Sequence, residues 1–578
     1  MAPQQQDAIM TAANSITGGK SIQIRRDIRW ARWGRWLLFL VPLLFLALFF
    51  FYPLLSIFQF SLFPEGQLDL SGFTRIATSG YYLETFFFTF WQAVLSTLLT
   101  IGFALPTAYV FTRFRFFGKD FLLSFATLPF VLPTVVVATA FDALLGRSGV
   151  VNNLLMSLFS LENAPVQLER TLVLILIAHV FYNYAVALRI LVGYWSNQNA
   201  RIEEAARVLG AHGWRLWWNI RLPMLRPALL AASALVFIFT FTSFGVIVIL
   251  GGLQFATLEV EIYRQSLNLF NLPMAAALSL IQILTMFGMM IVYTRLQRRI
   301  VIDLQSSKRV ARPVHSLQER VLVIATLIFM ALLLFAPLIA LVARSLTAGR
   351  GIGNYTGLSQ NLRGSVLFVP PIEAISNSLI FALITTVLAV GLGVITAYLL
   401  NSRGRLARWL DPVFMLPLAT SAVTLGFGFI IALDEPPLNL RSSVVIIPLA
   451  HTLVALPFVV RNVLPSLRSI PPNLREAAQT LGASPLMVLR LVDLPLISRS
   501  VFVGATFAFT VSMGEFGASL FVARPDTPTI PIVIFRLLGQ PGSANYGQAL
   551  AMSVILMTVC AISFVLLDRV RGIGVGEF

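Results

Sequence analysis

Long apolar segments are the feature of this sequence that most restricts its fold. Twelve can be drawn, and each is long enough to cross a ~30 Å hydrocarbon core as an α-helix. Their approximate ranges are 36–58, 86–112, 121–145, 171–193, 227–251, 275–295, 321–344, 376–400, 412–433, 443–464, 500–523 and 549–568. Only 12% of the residues are charged, against about 25% in soluble domains. The sequence predicts an all-α polytopic membrane protein with about 12 transmembrane helices.

The basic residues follow the predicted topology. The net charge of +17 raises nucleic-acid binding as an alternative, but membrane proteins also concentrate Lys and Arg in short cytoplasmic loops. With the N-terminus placed in the cytoplasm, the cytoplasmic segments hold 30 Lys and Arg and the external loops hold nine. We therefore expect a lipid bilayer and no nucleic acid as partner, with both termini cytoplasmic.

The chain divides into two membrane-embedded halves. The first apolar run is too long for a signal-peptide core and precedes no small-residue cleavage pattern, so we expect it to be a retained helix. The predicted parts are a cytoplasmic tail 1–35, a first half 36–295 with a loop at 194–226, a cytoplasmic linker 296–320, a second half 321–568 with a loop at 465–499, and a cytoplasmic tail 569–578.

The two halves repeat each other in sequence. Ala178-His179 matches Ala450-His451, and Phe244-Gly245 matches Phe516-Gly517, all at an offset of 272 in the numbering. Further upstream the offset becomes 288–289. A repeat of this length indicates two structurally equivalent units. Because each unit has six predicted spans, an even number, the sequence predicts two parallel six-helix repeats.

One polar loop is repeated with fixed internal spacing. Glu204-Ala205-Ala206 precedes Gly210 and Leu222-Pro223, and Glu476-Ala477-Ala478 precedes Gly482 and Leu494-Pro495. Each Gly stands where a left-handed C-cap ends a short helix. The small Ala pair and the Glu offer another protein a flat face and a charge-assisted anchor. Amphipathic helices lying in the membrane interface are the alternative, but they do not explain identical spacing in both copies.

These loops resemble the cytoplasmic signature of ATP-binding-cassette importer permeases, with Val492 replacing the usual Ile in the second copy. The resemblance implies a fused type-I permease in a bacterial or archaeal plasma membrane. It also implies two copies of a cytoplasmic ATP-binding subunit and an extracytoplasmic substrate-binding protein as partners. The implied ATPase-coupling residues are Glu204, Ala205, Ala206, Gly210, Leu222, Pro223, Glu476, Ala477, Ala478, Gly482, Leu494 and Pro495.

Because its two halves are fused in one chain, this protein resembles the thiamine and ferric-iron permeases. The stretches 178–183, 241–245 and 251–257 look more like the thiamine branch, although the iron branch has similar sequences. The resemblance implies transport of a small cationic solute, either thiamine or its phosphates or ferric iron. A secondary transporter driven by an ion gradient is the main alternative and predicts coupling carboxylates at broken helices. An export or lipid-translocating permease is a further alternative.

The sequence predicts a transport subunit without catalytic residues, a metal site or a bound cofactor. Gly18-Gly19-Lys20-Ser21 imitates the end of a phosphate-binding loop, but Asn14 stands where the pattern needs Gly and no strand precedes it. Paired carboxylates, a Ser/His/Asp set and clustered metal ligands are not recognisable in the sequence. ATP and Mg²⁺ are therefore expected in the separate ATPase.

Four polar residues are candidates for the translocation pathway. Glu515 is predicted inside the eleventh helix, where a charge is costly; it either lines a path for a cation or makes a structural hydrogen bond. Ser243 is its equivalent in the first half, and Tyr182 and Asn183 complete the set. The equivalents of Tyr182 and Asn183 are apolar, so these two face an asymmetric cavity or serve packing.

Overall fold

The computed structural model describes residues 37–64, 66–301, 311–361, 367–402, 404–434 and 438–571. The predicted N-terminal tail, with the Gly18–Ser21 motif, lies outside the described residues. So do residues 302–310 of the predicted linker and 572–578 of the predicted C-terminal tail.

The first half runs from α1 to α14. Its helices are α1 (Leu37–Leu62), α2 (Ser71–Thr78), α3 (Gly80–Arg113), α4 (Lys119–Phe125), α5 (Leu128–Val131), α6 (Thr134–Leu145), α7 (Val150–Phe159), α8 (Leu172–Ser196), α9 (Ala200–Val208), α10 (Gly213–Leu216), α11 (Leu222–Phe241), α12 (Gly245–Leu250), α13 (Leu258–Tyr263) and α14 (Leu272–Val301). A π-helical turn, Trp217–Arg221, joins α10 to α11, and another, Arg264–Asn268, extends α13.

The second half runs from α15 to α26. Its helices are α15 (Leu317–Thr347), α16 (Gly353–Thr356), α17 (Pro371–Asn401), α18 (Arg405–Ala419), α19 (Ala422–Ala432), α20 (Ile446–Ser469), α21 (Pro472–Thr480), α22 (Pro485–Val488), α23 (Leu494–Gly514), α24 (Gly517–Val522), α25 (Ile530–Leu538) and α26 (Ser543–Arg571). The π-helical turn Leu489–Asp493 joins α22 to α23.

The later helices of the two halves repeat each other in position as well as in sequence. The first residues of α9, α10, α11, α12 and α13 precede those of α21, α22, α23, α24 and α25, respectively, by the same offset of 272. The π-helical turns that precede α11 and α23 keep this offset too. In each half a long helix, α8 or α20, leads into the repeated loop. We call the side of the bundle on which these two helices end the loop side.

Two short strands close the bundle near the linker. β1 (Phe114–Arg115) pairs in parallel with β2 (Arg312–Pro313), which ties the segment after α3 to the segment before α15. The Arg312 guanidinium lies over the Phe114 ring, 5.4 Å from its centroid. Ser316 then begins α15 as an N-cap whose side chain accepts from the Glu319 backbone.

The all-α polytopic fold is confirmed. Within the described residues, ten helices are long and apolar enough to cross a membrane, and the bent pair α18 and α19 gives up to eleven. Small residues bring the helices close: a Cβ on Gly393 would lie 2.6 Å from Val459 Cγ1, and Gly504 faces the same valine. Such close approach is typical of helix packing in membranes, where apolar burial alone gives little drive.

Four predicted spans are not continuous helices, and they are equivalent pairs. The third predicted segment divides into α4, α5 and α6, and the ninth divides into α18 and α19. The fifth stops at Phe241 and the eleventh at Gly514, each followed by a short separate helix. Prolines or polar caps stand at the first two interruptions, because Pro133 precedes α6 and the Ser421 hydroxyl accepts from the Val423 and Thr424 amides.

Candidate functional site

A cavity of about 330 Å³ lies between the two halves, at the level of these helix interruptions. Residues from all four interruptions line it: Leu132 and Pro133, Thr242 to Phe244, Thr420 and Ser421, and Glu515 and Phe516. Aromatic rings form much of the remaining wall, namely those of Phe130, Tyr182, Phe239, Phe458 and Phe507. The interruptions therefore supply polar backbone to a central space that is otherwise apolar and aromatic.

The four predicted pathway residues all line this cavity. The Tyr182 hydroxyl donates to the Leu132 carbonyl at 3.0 Å, and Ser243 Oγ lies 2.9 Å from His179 Nε2. Asn183 donates through Nδ2 to the His179 carbonyl at 3.0 Å. Its Oδ1 is buried and has no hydrogen-bond partner among the described residues. Asn183 therefore adds a buried acceptor without a partner among the described residues to the cavity wall.

Glu515 does not lie inside a continuous helix, which corrects the prediction for the eleventh span. It follows the last residue of α23 with extended backbone (φ −68°, ψ 123°), and its carboxylate caps the next helix, α24. Oε1 accepts from the Ala518 amide at 2.8 Å, and Oε2 accepts from the Ser519 amide and hydroxyl at 2.8 and 2.7 Å. Glu515 therefore makes structural hydrogen bonds, and its side chain also belongs to the cavity wall.

Two equivalent histidines brace the interruptions. His179 lies between Ser96 (3.0 Å) and Ser243 (2.9 Å). His451 lies between Ser512 (2.7 Å) and Ser519 (2.8 Å), with the Glu515 carboxylate 3.4 Å from its Nε2. All of these side chains except Ser243 are buried. The hydrogen bonds link different helices, which is the packing role that symmetric histidines in membrane spans suggest.

Equivalent phenylalanines meet where the halves touch. Phe244 and Phe516, which occupy matched positions of the two repeats, stack with ring centroids 5.5 Å apart and planes inclined by 24°. Since equivalent residues of two repeats can contact each other only near the axis that relates them, this stack marks the pseudo-two-fold axis. Phe239 and Phe507, which precede the interruptions on α11 and α23, line the cavity towards the loop side.

A buried carboxylate near the cavity was missed by the sequence reasoning. Glu259, on α13, is fully buried and accepts from the Ser421 hydroxyl of the other half at 2.7 Å and from Gln282. Its equivalent in the second half is Pro531. The sequence does show one sign of this residue. Glu259 is acidic, whereas the equivalent position in the other repeat is not. Because Pro531 has no side-chain oxygen, the second half has no carboxylate at the position equivalent to Glu259.

The repeated loops have the same backbone in both halves. Gly210 and Gly482 adopt left-handed φ angles of +86° and +84°, which residues with a side chain rarely adopt. The Ala211 amide donates to the Ala206 carbonyl at 2.9 Å, and Ala483 donates to Ala478 at 3.0 Å. Each short helix therefore ends in the predicted left-handed cap, with this backbone hydrogen bond closing the turn.

The loop residues named from the sequence lie mainly on the surface. Glu204 and Ala205 are exposed, as are Glu476 and Ala477, whereas Ala206 is buried and Ala478 half-buried. Leu222 and Leu494 are the first residues of α11 and α23, and Pro223 and Pro495 follow them. Leu209 and Leu481, beside the two glycines, are 87% and 88% exposed. Each loop thus presents an apolar and acidic surface away from the bundle.

An ion pair holds each loop to the following span. The acidic and basic partners occupy exchanged positions in the two halves. In the first loop Glu203 Oε1 accepts from Arg221 Nε at 3.0 Å. In the second, Arg475 Nε donates to Asp493 Oδ1 at 2.7 Å. Glu203 is equivalent to Arg475, and Arg221 to Asp493, at the offset of 272. Sequence reasoning concentrated on Glu204 and missed this pair, although the exchanged signs at matched positions are visible in the sequence.

The surroundings of the two pairs differ. Glu203 Oε1 also contacts Arg113 (3.3 Å) and Arg207 (3.0 Å). The Tyr109 ring lies 5.2 Å from the Arg221 guanidinium. In the second half Tyr398, the equivalent of Tyr109, instead donates its hydroxyl to Asp493 Oδ2 at 3.1 Å. The first loop thus concentrates three guanidiniums on one carboxylate, whereas the second loop pairs one guanidinium with one carboxylate.

Comparison with known proteins places these features in a family. The family model described as "Binding-protein-dependent transport system inner membrane component" matches residues 100–302 and again 389–571. The thiamine transport system permease protein ThiP of Escherichia coli K12 is 28% identical over 495 residues, covering 84% of this chain and 88% of that protein.

Two further similarities cover about half of the chain. A putative 2-aminoethylphosphonate transport system permease protein of Salmonella typhimurium is 28% identical over 249 residues, covering 43% of this chain and 92% of that protein. Among solved structures, a bacterial ABC transporter that imports the polysaccharide alginate is similar at 19% identity, with a TM-score of 0.38 over 48% of this chain and 99% of that one.

Proposed function

We propose, from the premise that this chain belongs to the family of binding-protein-dependent transport system inner membrane components, that it conducts a small cationic solute through the cavity between its halves. The chain is a fused permease of a type-I ATP-binding-cassette importer, with the family match occurring once in each half. The observation that carries the proposal is the central cavity, where four helix interruptions meet aromatic walls.

The lining favours an organic cation such as thiamine over ferric iron. Aromatic faces attract organic cations, with an interaction of about 0.5–2 kcal/mol per ring. Rings of Tyr182, Phe239, Phe458 and Phe507 all border the cavity. Ferric iron instead prefers several oxygen ligands, and Glu515 is the carboxylate among the lining residues. The similarity to thiamine permeases is consistent with this choice.

Asn183 is the residue we assign to direct contact with the solute. Its Oδ1 is an acceptor without a partner among the described residues, and the side chain borders the cavity. An unpaired buried acceptor is costly, so a donor group on the solute, such as an amino group, would relieve that cost. Glu515 already accepts from two backbone amides and a hydroxyl. We therefore assign Glu515 an electrostatic attraction for the cation and not a direct contact with it.

We further propose that the two loops dock two copies of a cytoplasmic ATPase. The exposed Glu204 and Glu476, each beside an exposed alanine, match in position and backbone geometry. ATP binding would draw the two docked subunits together and separate the Phe244–Phe516 contact, and hydrolysis would reverse the motion. The solute would arrive from an extracytoplasmic binding protein, and both termini would lie in the cytoplasm of a bacterial or archaeal cell. ATP and Mg²⁺ would remain on the ATPase.

Reconstituted transport tests the proposal. Vesicles containing this chain, the ATPase and the binding protein should accumulate labelled thiamine when ATP is supplied on the loop side. Asn183→Ala should raise the solute concentration needed for half-maximal uptake by about tenfold, from the loss of one buried hydrogen bond. Asn153→Ala, on the surface helix α7, is the matched control and should behave as the wild type.

The same vesicles distinguish the alternative transporter class. Uptake driven by a proton or sodium gradient, in vesicles without ATPase subunits, would overturn the importer mechanism. ATP-dependent uptake of ferric iron but not thiamine would retain the mechanism and overturn the solute assignment.

A further inference from the structure

A second cavity, of about 720 Å³, lies on the outer surface of the bundle away from the central one. It is a groove between α15 and α26, the first and last helices of the second half. Leu338, Ile339 and Val342 line it from α15, and Ala561, Ile562 and Val565 from α26. Leu128, on α5 of the first half, closes one part, and Arg569 lies in its wall. The groove is therefore apolar along its length with one cationic group.

Small side chains on α26 open the groove. Ala561 and Val565 are equivalent to Met289 and Tyr293 on α14 of the first half, at the offset of 272. Met289 and Tyr293 are partly buried and pack against the core of the bundle. The same positions thus carry bulky packed residues in one half and small ones in the other. The groove is a local difference between two otherwise equivalent helices.

The part of the groove that lies on α26 has the length of one leaflet of a bilayer, and the α15 side chains meet it at the end remote from the loop side. Met557 and Arg569 both line it, and twelve helical residues span about 18 Å. Half of a hydrocarbon core is about 15 Å. Arg569 follows Leu567, the last residue of the candidate span formed by α26, which places its guanidinium at headgroup depth. Arg569 is exposed.

We propose that this groove binds one acyl chain of an anionic phospholipid in the loop-side leaflet, with the lipid phosphate on Arg569. Basic residues beside grooves between membrane helices are suited to anionic headgroups. An acyl chain there would contact both halves, because Leu128 belongs to the first. α5 leads directly into Leu132 and Pro133, which line the central cavity. Lipid occupancy would therefore influence the interface between the halves.

Photo-cross-linking in vesicles tests this site. The full chain is reconstituted with phosphatidylglycerol or phosphatidylcholine that carries a diazirine in the acyl chain, and the labelled peptides are identified by mass spectrometry. Phosphatidylglycerol should label the facing sides of α15 and α26 about fivefold more than phosphatidylcholine does, the effect of one basic residue near an anionic headgroup. Arg569→Gln should remove that difference and leave labelling by phosphatidylcholine unchanged.

Filling the groove provides the second variant. Ala561→Met with Val565→Tyr introduces the side chains of the equivalent first-half positions and should reduce labelling by both lipids at least about fivefold. Leu332→Met, at a 63% exposed position of α15 that does not line the groove, is the control and should label as the wild type. Equal labelling by the two lipids, or label spread evenly over all the spans, would overturn the proposal. Protection of α15 and α26 by a co-purifying membrane protein would do the same.

Discussion

The two loops have the same backbone but reverse the charges of the pair that holds them. Glu203 binds Arg221 in the first loop, and Arg475 binds Asp493 in the second. In both, one partner lies on the short loop helix and the other ends the π-helical turn before the next span. The position of the bridge is therefore retained, while the identity of each residue is not. We infer that its role is mechanical: it makes the loop helix and the span move together.

The difference lies in how much else depends on each bridge. Glu203 is shared by three arginines and its pair with Arg221 is 7% exposed on both side chains. In the second loop Arg475 is 25% exposed, and Asp493 also has a hydroxyl donor in Tyr398. A shared, buried carboxylate is harder to replace than one member of a simple pair. The first loop should therefore be the more sensitive to substitution.

Removing the loop-helix partner should give the largest effect. Glu203→Ala leaves three guanidiniums without their carboxylate, and loss of one partner from a buried pair costs about 3–5 kcal/mol. Arg475→Ala should cost less, on the order of 1–3 kcal/mol, because Asp493 retains the Tyr398 hydroxyl. Thermal unfolding of the detergent-solubilised chain measures both. Equal losses in the two variants would contradict the comparison.

Exchanging the charged residues of each ion pair should give the second-largest difference between the two loops. In the second loop, Arg475→Glu with Asp493→Arg rebuilds the pair, so the double variant should recover most of the stability that either single change loses. In the first loop, Glu203→Arg with Arg221→Glu places a new guanidinium beside Arg113 and Arg207 and should recover little. Double-mutant cycles, with coupling energies of about 0.5–3 kcal/mol as the expected range, make the comparison quantitative. Full recovery in both loops would show that the neighbouring arginines are irrelevant.

The glycine turns should respond alike, because their geometry is alike. Gly210→Val and Gly482→Val each force a branched residue into a left-handed conformation, at roughly 1–2 kcal/mol or more. We expect ATP hydrolysis to persist while uptake falls in each single variant and further in the double. Gly288→Ala, in a helix with open space around it, controls for general loss of glycine. Normal uptake in the double variant would refute the assignment of these loops to coupling.

The smallest effect is expected at Glu515 and its equivalent, Ser243. Glu515→Gln keeps one capping oxygen but removes the charge, so uptake of a cation should fall roughly two- to fivefold, as for one screened charge of about 0.5–1 kcal/mol. Ser243→Ala, at the equivalent position, removes a hydroxyl from the wall without changing charge and should change uptake less. Uptake unchanged by Glu515→Gln would leave Glu515 with its capping role alone.

The repeated elements were predictable from the sequence, because the apolar segments and the constant spacing between matched residues are both clear patterns. The helices around the loops begin at the constant offset that the matched residues indicate, and both glycines adopt the predicted left-handed turn. The interruptions at Pro133 and Glu515 were not predicted, since an apolar run does not show where a helix stops. What interrupts them is local: a proline lacks its amide donor, and a carboxylate satisfies the amides of the following helix.

Contacts between distant parts of the chain were also beyond sequence reasoning. Glu259 meets Ser421, and Glu203 gathers Arg113, only after the chain has folded. Residues 162 and 90 positions apart in the chain leave no local pattern that pairs them. The cavity assignment for Asn183 likewise depends on which of its atoms lacks a partner, and that is a property of the packed structure.

The stacked Phe244 and Phe516 have a consequence for how such a molecule can diversify. If two identical subunits met at this axis, any change beside it would appear twice and face its own copy. A carboxylate at the position of Ser243 and Glu515 would then confront another carboxylate. Because both copies are encoded in one chain, an acidic residue can stand on one side of the axis and a serine on the other, as Glu515 and Ser243 do. Joining the halves permits an odd number of charges where symmetry would allow only an even one.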